Sequence, residues 1–322
     1  ARRHPQRIVF TEGDNYRILK AAEILISNGV AKPILLGSKE KMEAIIEEYQ
    51  LELQEAEFID IMADRDGREM YAARMYEFRK RRGWTMGECR SKIKSRKYYG
   101  NMMLRDGGAD ALISGLTVKY PTALRPILRI IGMEEGMRKA AGMYILLSKR
   151  GPMFFADTTI NLDPTVEDLV QMVLNVADTV KRTNIVPKVA LLSYSNFGSS
   201  NGPDAHKMAK ASAILRKEHP DLIVDGEMQA NFALEPELLQ ESFPFSDLVG
   251  HQANVFIFPN LAAGNITYKM LQSFGAAEAI GPMLIGTKHS AHVLQLGASV
   301  REIVNMATLA AVDARNRKVK KA

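Results

Sequence analysis

A glycine turn near the carboxyl end of the chain lacks charge where anion-binding chemistry would be expected. Residues 293–299 read VLQLGAS and lead into the last long helical pattern. Such a turn before a helix N-terminus exposes backbone N–H groups that suit a phosphate. Gln295 and Leu296 are uncharged, and neither side chain is a base or a nucleophile. The turn therefore has the backbone pattern of a ligand loop without catalytic side chains.

Two further loops at predicted strand ends carry hydroxyl groups, amides and glycines that suit a phosphate or pyrophosphate. They read SYSNFGSSNGPD (193–204) and PNLAAGNITYK (259–269). Their candidate ligand-binding residues are Ser195, Asn196, Ser199, Gly264 and Asn265. For the first loop, an ordinary turn-rich connection is an equally good interpretation.

Basic residues form the other candidate anion site. Arg125 stands in ALRP, after a predicted strand and before a proline. It is either a charge on a helix surface or a guanidinium that forks onto a phosphate. Residues 79–97 hold nine basic residues and one acid, so this segment carries +8 in a chain of net charge +6. A local cluster indicates an anionic ligand better than a diffuse excess does. A solvated helix face remains the favoured interpretation for most of the lysines.

Composition excludes several classes of protein. At 322 residues, two domains are expected, and the 46% hydrophobic and 25% charged fractions are typical of soluble globular proteins. The sequence has neither an eighteen-residue apolar run nor a secretory leader. Its one cysteine, Cys89, fits a reducing cytosol, so we expect a cytoplasmic protein. The start at Ala1 fits either a processed terminus or an excised domain of a longer polypeptide, and the second is at least as good an interpretation.

Standard cofactor and metal motifs are absent from the sequence. It contains no GxGxxG, GxxxxGK[ST], HExxH, CxxC or GxSxG pattern. His289 and His292 are three residues apart but lack companion ligands, so no metal site is expected. The basic segment is not interleaved with aromatic residues, and no helix-turn-helix pattern accompanies it. We therefore expect neither a nucleic-acid partner nor a membrane partner.

Alternating strand and helix patterns run along the whole chain. RIVF (7–10) is a predicted strand, and the pattern over residues 16–27 predicts an amphipathic helix. Asp163-Pro164 predicts a helix start, and a last helix is expected over residues 299–317. Short apolar strands separated by helices predict an α/β fold with parallel or mixed sheets flanked by helices. We expect domains of 1–140 plus 285–322 and of 141–284.

Seven segments in register resemble the phosphate acetyl/butyryltransferase family over nearly the whole chain. They are YEFRKRRG (76–83), TALRP (122–126), FADTTINLDPTVEDL (155–169), VALLSYSNFGSS (189–200), DGEMQ (225–229), ANVFIFPNLAAGNITYK (253–269) and AEAIGP (277–282). The resemblance implies two α/β domains around a cleft, an isocitrate dehydrogenase-like fold, a homodimer and a coenzyme A site. It also implies that Arg79 and Arg125 bind anionic substrates.

The chain departs from this family at two places that carry its chemistry. Active members resemble DLSRGCSDEDI near the carboxyl end, where a serine and an arginine act in catalysis. Gln295 and Leu296 replace those two residues, and Glu302 replaces the candidate base. Ser299-x-x-Glu302 is also a capping box, which we favour over a catalytic role. Residues 115–122 likewise replace a histidine and small hydroxyl residues, so no catalytic residue is expected.

Loss of transfer chemistry with retention of the binding arginines resembles the C-terminal domain of multidomain NADP-dependent malic enzymes. This resemblance implies an acetyl-CoA-binding allosteric domain, with NADP and a divalent metal only in an upstream domain. The basic residues that could attract the coenzyme A phosphates are Arg90, Lys92, Lys94, Arg96 and Lys97. Two alternatives stay open, an active phosphate acetyltransferase and a purely structural dimerisation module.

Overall fold

Short apolar strands alternate with amphipathic helices and build two separate sheets. The computed structural model describes residues 1–275 and 278–319. Ala277 of the AEAIGP segment and residues 320–322 of the predicted first domain lie outside the described residues. Contacts between Cα atoms group the chain into one unit of residues 1–135 and 287–322 and a second unit of residues 136–286. The predicted domain boundaries at 140 and 284 stay a prediction.

The secondary structure alternates as the sequence predicts. The strands are β1 (Gln6–Phe10), β2 (Ala31–Leu36), β3 (Glu57–Ile59), β4 (Ala111–Ser114), β5 (Ala141–Ser148), β6 (Gly151–Ala156), β7 (Lys188–Leu192), β8 (Ile223–Met228), β9 (Val255–Ile257), β10 (Glu278–Ile285) and β11 (Ser290–Val293). The helices are α1 (Tyr16–Ser27), α2 (Lys39–Tyr49), α3 (Arg65–Arg79), α4 (Met86–Ile93), α5 (Arg96–Arg105), α6 (Tyr120–Ile130), α7 (Val166–Lys181), α8 (Pro203–Glu218), α9 (Ala230–Leu234), α10 (Pro236–Ser242), α11 (Leu261–Ser273) and α12 (Val300–Val319).

The described part of the first unit holds a five-stranded parallel sheet in the order β11-β4-β1-β2-β3. Its central strands are mostly apolar and buried, because helices cover both faces of a parallel sheet. Helix α1 begins where the Asn15 side chain accepts the Arg17 N–H, and it buries one face that includes Ile18, Leu19 and Leu25. All five strands end at the same edge, so the loops that follow them lie together.

The described part of the second unit holds a six-stranded mixed sheet in the order β10-β5-β6-β9-β7-β8. Strand β5 pairs antiparallel with both β10 and β6, whereas the other pairs are parallel. Phe155, Phe256 and Phe258 pack edge-on in its core, and the Tyr144 and Tyr268 rings stack at 4.1 Å. The predicted α/β class with parallel and mixed sheets is confirmed.

One local prediction is wrong. Asp163 does not cap α7, because Thr165 and Asp168 form a capping box two residues later, and this box satisfies two backbone N–H groups at once. Arg125 follows β4 as expected and lies inside α6, which continues through Pro126. None of the helices in the described ranges is long and apolar enough to cross a membrane.

Candidate functional site

The loops that follow β1 and β4 are joined at the carboxyl edge of the first sheet. Glu12 is 7% exposed, and its carboxylate accepts the backbone N–H groups of Gly115 at 2.9 Å and Leu116 at 3.1 Å. The Thr117 N–H and hydroxyl donate to its other oxygen at 3.4 and 3.1 Å. Consecutive N–H groups of this kind form an anion-binding concavity. Here a carboxylate of the chain itself occupies the concavity and fixes the loop.

The 294–298 loop lies beside this edge and is held from two sides. The Leu294 N–H donates to Ser114 O at 2.7 Å, and the Gly297 N–H donates to Leu116 O at 3.1 Å. From α1, Arg17 Nη1 donates to the carbonyl oxygens of Gly297 at 2.6 Å and Ala298 at 3.2 Å. The backbone of the loop is therefore well fixed.

The two uncharged residues of the 294–298 loop differ in exposure. Leu296 is 69% exposed, whereas Gln295 is partly buried. An isolated exposed leucine contributes little to a hydrophobic core. Leu296 therefore occupies a surface position that a charged side chain could take without disturbing the packing.

Glu302 forms the capping box that the sequence predicts. Its Oε2 accepts the Ser299 N–H and the Ser299 hydroxyl, each at 2.8 Å, and its own N–H donates to Ser299 Oγ at 3.3 Å. These bonds satisfy backbone donors at the start of α12. The geometry gives Glu302 a complete structural role.

Arg79 is the last residue of α3 and is only 7% exposed. Its guanidinium lies 5.3 Å from the centre of the Trp84 ring, and within the described residues its buried Nε–H has no hydrogen-bond partner. Burial lowers the pKa of Arg79. Three neighbouring guanidinium groups lower this pKa further, those of Arg82, Arg129 and Arg105. The group is thus a buried cation in a positive environment.

Other cations surround the same indole ring. Lys92 Nζ lies 5.1 Å and the Arg129 guanidinium 5.9 Å from the Trp84 ring centre, within cation–π range. Arg129 also donates to the Tyr98 hydroxyl at 3.2 Å. We call Arg79, Arg82, Lys92, Arg105 and Arg129 the cation cluster. None of these five forms an ion pair with a carboxylate among the described residues.

Sequence reasoning identified Arg79 but missed Arg82, Arg105 and Arg129. Arg125 is exposed on α6, and Arg129 follows it by four residues, on the same helix face. This spacing was a usable signal once the segment was known to be helical. Arg125 itself makes no hydrogen bond or ion pair to the part of the chain that is described.

The predicted basic residues of 90–97 divide into two groups. Arg90 pairs with Glu69 at 2.9 Å, and Arg96 pairs with Asp14 at 2.5 Å. These two cations therefore join elements of the first unit. Lys92 lies in the cation cluster, and Lys94 is exposed. The solvated-face interpretation describes Lys94, whereas Lys92 lies at the cluster.

In the second unit, the loop after β7 uses its polar side chains internally. Ser195 is fully buried and donates to Glu227 Oε1 at 2.9 Å, which also accepts the Gly198 N–H at 2.7 Å. Ser199 Oγ accepts the Asn196 N–H at 2.9 Å. The Ser195, Asn196 and Ser199 side chains thus hold the loop, and their role in ligand binding stays a prediction.

Gly264 and Asn265 are the fourth and fifth residues of α11, and both lie against the end of β6. A Cβ atom on Gly264 would lie 2.7 Å from Asp157 O, so only glycine fits without a shift. Asn265 Nδ2 donates to Thr158 O at 3.1 Å. The two residues bring α11 close to β6, which is a packing role, and their ligand role stays a prediction.

Metal ligation has no support in the described ranges, where no cluster of three or more histidine, cysteine or acidic residues could hold an ion. His292 is fully buried, and its Nε2 lies 3.0 Å from Ser290 Oγ. Burial lowers the pKa of His292 to about 4, so the ring is neutral at pH 7. This histidine belongs to the packing between β11 and α12.

Comparison with known proteins identifies the family. The family described as phosphate acetyl/butaryl transferase matches residues 1–311. The chain belongs to this family. A solved structure of the EutD phosphotransacetylase from Staphylococcus aureus is similar, with a TM-score of 0.88 and 29% identity over 96% of this chain and 94% of that one.

Relatives within the transferase family fall into two kinds. The NADP-dependent malic enzyme of Salmonella typhimurium is 39% identical over 98% of this chain, which spans only 42% of that enzyme's length. The phosphate acetyltransferase of Clostridium acetobutylicum is 34% identical over 98% of this chain and 96% of its own length. The chain is thus similar both to a whole acetyltransferase and to part of a malic enzyme.

Proposed function

We propose that this chain binds acetyl-CoA through the cation cluster of its first unit. The observation that carries the proposal is the buried Arg79 guanidinium, whose Nε–H has no partner within the described residues. Burying a charge without a counter-charge is unfavourable, and neighbouring like charges make it more so. An anionic ligand relieves both effects, and the phosphate groups of coenzyme A supply the negative charge.

The proposed chain binds acetyl-CoA but does not catalyse acetyl transfer. Transfer to or from an acyl phosphate needs groups that stabilise negative charge as it develops at the reacting atoms. Gln295 and Leu296 are neutral, and Glu302 is engaged in the α12 cap. The chain would therefore bind the thioester without transferring its acyl group.

In the full protein, we propose that acetyl-CoA binding to this domain changes the activity of a malic enzyme core. The malate oxidation and decarboxylation, with NADP and a divalent metal, would take place in an upstream domain. Identity of 39% to a malic enzyme that is more than twice as long supports this arrangement. Allosteric inhibition requires acetyl-CoA to bind two states of the protein with different affinity.

The second candidate function is active phosphate acetyltransfer. The chain covers 96% of the length of a phosphate acetyltransferase but only 42% of a malic enzyme. This full coverage supports acetyltransfer more directly than the partial coverage supports regulation. CoA-dependent release of phosphate from acetyl phosphate separates the two. The binding proposal expects no release above the uncatalysed rate, whereas turnover of about 1–1000 per second would establish transfer.

Arg79→Met tests the binding proposal directly. The substitution keeps an unbranched apolar side chain beside Trp84 and removes the uncompensated charge, so stability should be unchanged or higher. Calorimetric titration with acetyl-CoA should show an affinity loss of about tenfold to a hundredfold. Arg65→Gln, which removes an exposed charge at α3, is the matched control. Equal affinity in wild type and Arg79→Met would disprove the proposal.

The proposal includes the assembly state of the chain and its location in the cell. We propose a homodimer in the cytoplasm, as the family resemblance and the single cysteine imply. Cys89 is buried, and burial raises the pKa of its thiol, which suits a free cysteine in a reducing compartment. Light scattering of the purified chain tests the dimer, and a monomer at micromolar concentration would contradict it.

A further inference from the structure

Trp84 is the one tryptophan of the chain, and hydrogen bonds fix its backbone on both sides. Its N–H donates to Arg79 O, at the end of α3, at 3.4 Å. The next residue, Thr85, caps α4 in a capping box with Glu88. The Tyr98 ring packs edge-on against the indole, with 6.2 Å between the ring centres. A ring held in this way can orient the groups around it.

Three members of the cation cluster meet at this indole, and each comes from a different helix. Arg79 of α3, Lys92 of α4 and Arg129 of α6 lie between 5.1 and 5.9 Å from the ring centre. Burial lowers the pKa of Arg79, and the neighbouring guanidinium groups lower it further, so the three cations repel one another. The negative face of an indole ring attracts cations at this distance. The ring therefore offsets repulsion that would otherwise separate the three side chains.

An indole ring attracts cations without neutralising them. A carboxylate in its place would form ion pairs and cancel most of the positive charge, whereas the ring carries no net charge. Glu88 is the only acid among residues 79–97, and it is engaged in the α4 cap, where its Oε2 accepts the Thr85 N–H at 3.0 Å. Among the described residues, the charge gathered at Trp84 therefore remains without a carboxylate partner.

We infer that Trp84 is a positioning residue of the cation cluster. Its ring takes the place of a counter-charge, so that Arg79, Lys92 and Arg129 are held together while their charge stays available to an anion. Trp84 acts through these three side chains and needs no contact with the ligand itself. The inference rests on the proposed function only where it names acetyl-CoA as the anion.

A double-mutant cycle tests the contact between ring and cation without any ligand. Trp84→Leu removes the aromatic ring, and Arg129→Gln removes an exposed charge while keeping a polar side chain. Urea unfolding of the unsubstituted chain, the two single variants and the double variant should give a favourable coupling of about two- to fivefold in the unfolding constant. Additive effects of the two substitutions would overturn the inference, because the ring would then not attract Arg129.

Calorimetric titration with acetyl-CoA tests the positioning role. Trp84→Leu should weaken binding about tenfold, whereas Trp84→Phe, which keeps an aromatic ring, should weaken it by no more than about threefold. Phe58→Leu removes an exposed ring of β3 and is the matched control, with unchanged affinity expected. Equal losses in Trp84→Leu and Trp84→Phe would overturn the inference, because Trp84 would then act through its volume.

Fluorescence quenching of the unsubstituted chain needs no variant that folds and shows whether the charge at the ring is available. Trp84 is the only tryptophan, so the emission reports on this position alone. Uncompensated cations concentrate iodide and repel caesium. Relative to free N-acetyltryptophanamide, the iodide quenching constant should therefore exceed the caesium constant about fivefold or more. Equal constants would overturn the inference. If the chain does not bind acetyl-CoA, the proposed function fails, whereas the cycle and the iodide result still decide the role of Trp84.

Discussion

At the residue scale, unpaired charge is the most informative property of this chain. Several of its cations pair with carboxylates. Arg7, for example, pairs with Asp110 at 3.0 Å, and Arg317 pairs with Asp313 at 2.8 Å. The cation cluster is different, because Arg79, Lys92 and Arg129 lie at Trp84 and no cluster member pairs with a carboxylate in the described part of the chain. A bound anion would stabilise these unpaired cations, which makes the cluster a candidate ligand site.

Arg129 should contribute to acetyl-CoA binding as strongly as Arg79. Its guanidinium lies at the same indole ring, and its one side-chain hydrogen bond goes to a neutral hydroxyl. Arg129→Ala should weaken binding by about 1–3 kcal/mol, as should Arg125→Ala if the neighbouring turn of α6 also contacts the ligand. Calorimetry measures both. An unchanged affinity in Arg125→Ala would show that Arg125 does not contact the ligand, and it would not contradict binding at the cation cluster.

Leu296→Arg should be structurally tolerated. The leucine is 69% exposed and the backbone around it is fixed by hydrogen bonds, so the free energy of unfolding should change by less than about 0.5 kcal/mol. Thermal or urea unfolding measures this. A loss of several kcal/mol would show that Leu296 is needed for packing, and it would weaken the interpretation of this position as a lost catalytic residue.

At the element scale, α12 depends on its first turn and on its contact with β11. The capping box of Ser299 and Glu302 satisfies backbone donors that would otherwise lack partners. Farther along the helix, Asp313 and Arg317 face the buried His292 of β11.

Glu302→Ala should destabilise the protein by about 0.5–2 kcal/mol through loss of the cap. Glu302→Gln should retain most of that stability, because glutamine also serves in a capping box. Urea unfolding of the two variants measures the difference. If acetyl phosphate turnover is detected and Glu302→Gln abolishes it at unchanged stability, Glu302 is a catalytic base and the structural interpretation is wrong.

The His292 network should make the first unit sensitive to acid. Burial lowers the pKa of His292 from 6.5 to about 4, so the native state holds the neutral ring. Its contribution to stability is complete above pH 6.5 and is lost as the pH falls toward 4, a loss of about 3 kcal/mol. Burial raises the pKa of Asp313, but the charge and hydrogen bond of Arg317 together with the other neighbouring groups outweigh burial. The net shift is downward, which adds to acid sensitivity.

Urea unfolding between pH 7 and pH 4 measures this dependence. His292→Asn lacks the titrating ring and should show a smaller loss of stability over that interval, although it starts from a lower value. Arg317 also binds Glu134 and Thr287 O, so it is left unchanged in this comparison. Identical pH profiles for the two proteins would show that His292 does not control the acid response.

At the scale of the whole molecule, ligand binding should appear as a gain in stability. A ligand bound only by the native state adds RT ln(1 + [L]/Kd), which is about 2.7 kcal/mol at a hundredfold excess over Kd. Acetyl-CoA should therefore raise the melting temperature of the chain, and Arg79→Met should reduce the rise. No shift at millimolar acetyl-CoA would favour the purely structural module.

The sequence by itself determined the fold class, the family and the absence of charge at Gln295 and Leu296. The fold class follows from strand-helix alternation, which depends on local hydrophobic periodicity. The family follows from seven ordered motifs, which depend only on residue type and spacing. Both can therefore be predicted without the tertiary structure. The Ser299–Glu302 cap was predictable for the same reason, since its partners are three residues apart.

Only the tertiary structure decided which charged residues remain without partners. Arg96 pairs with Asp14 across 82 positions, and Arg17 contacts the 294–298 loop across 280, whereas Arg79 and Arg129 meet at Trp84. Spacing along the chain gives no information about such encounters, because the order of strands in the sheet brings the loops together. Residue type marks a cation, but its partners determine whether it is structural or available to a ligand.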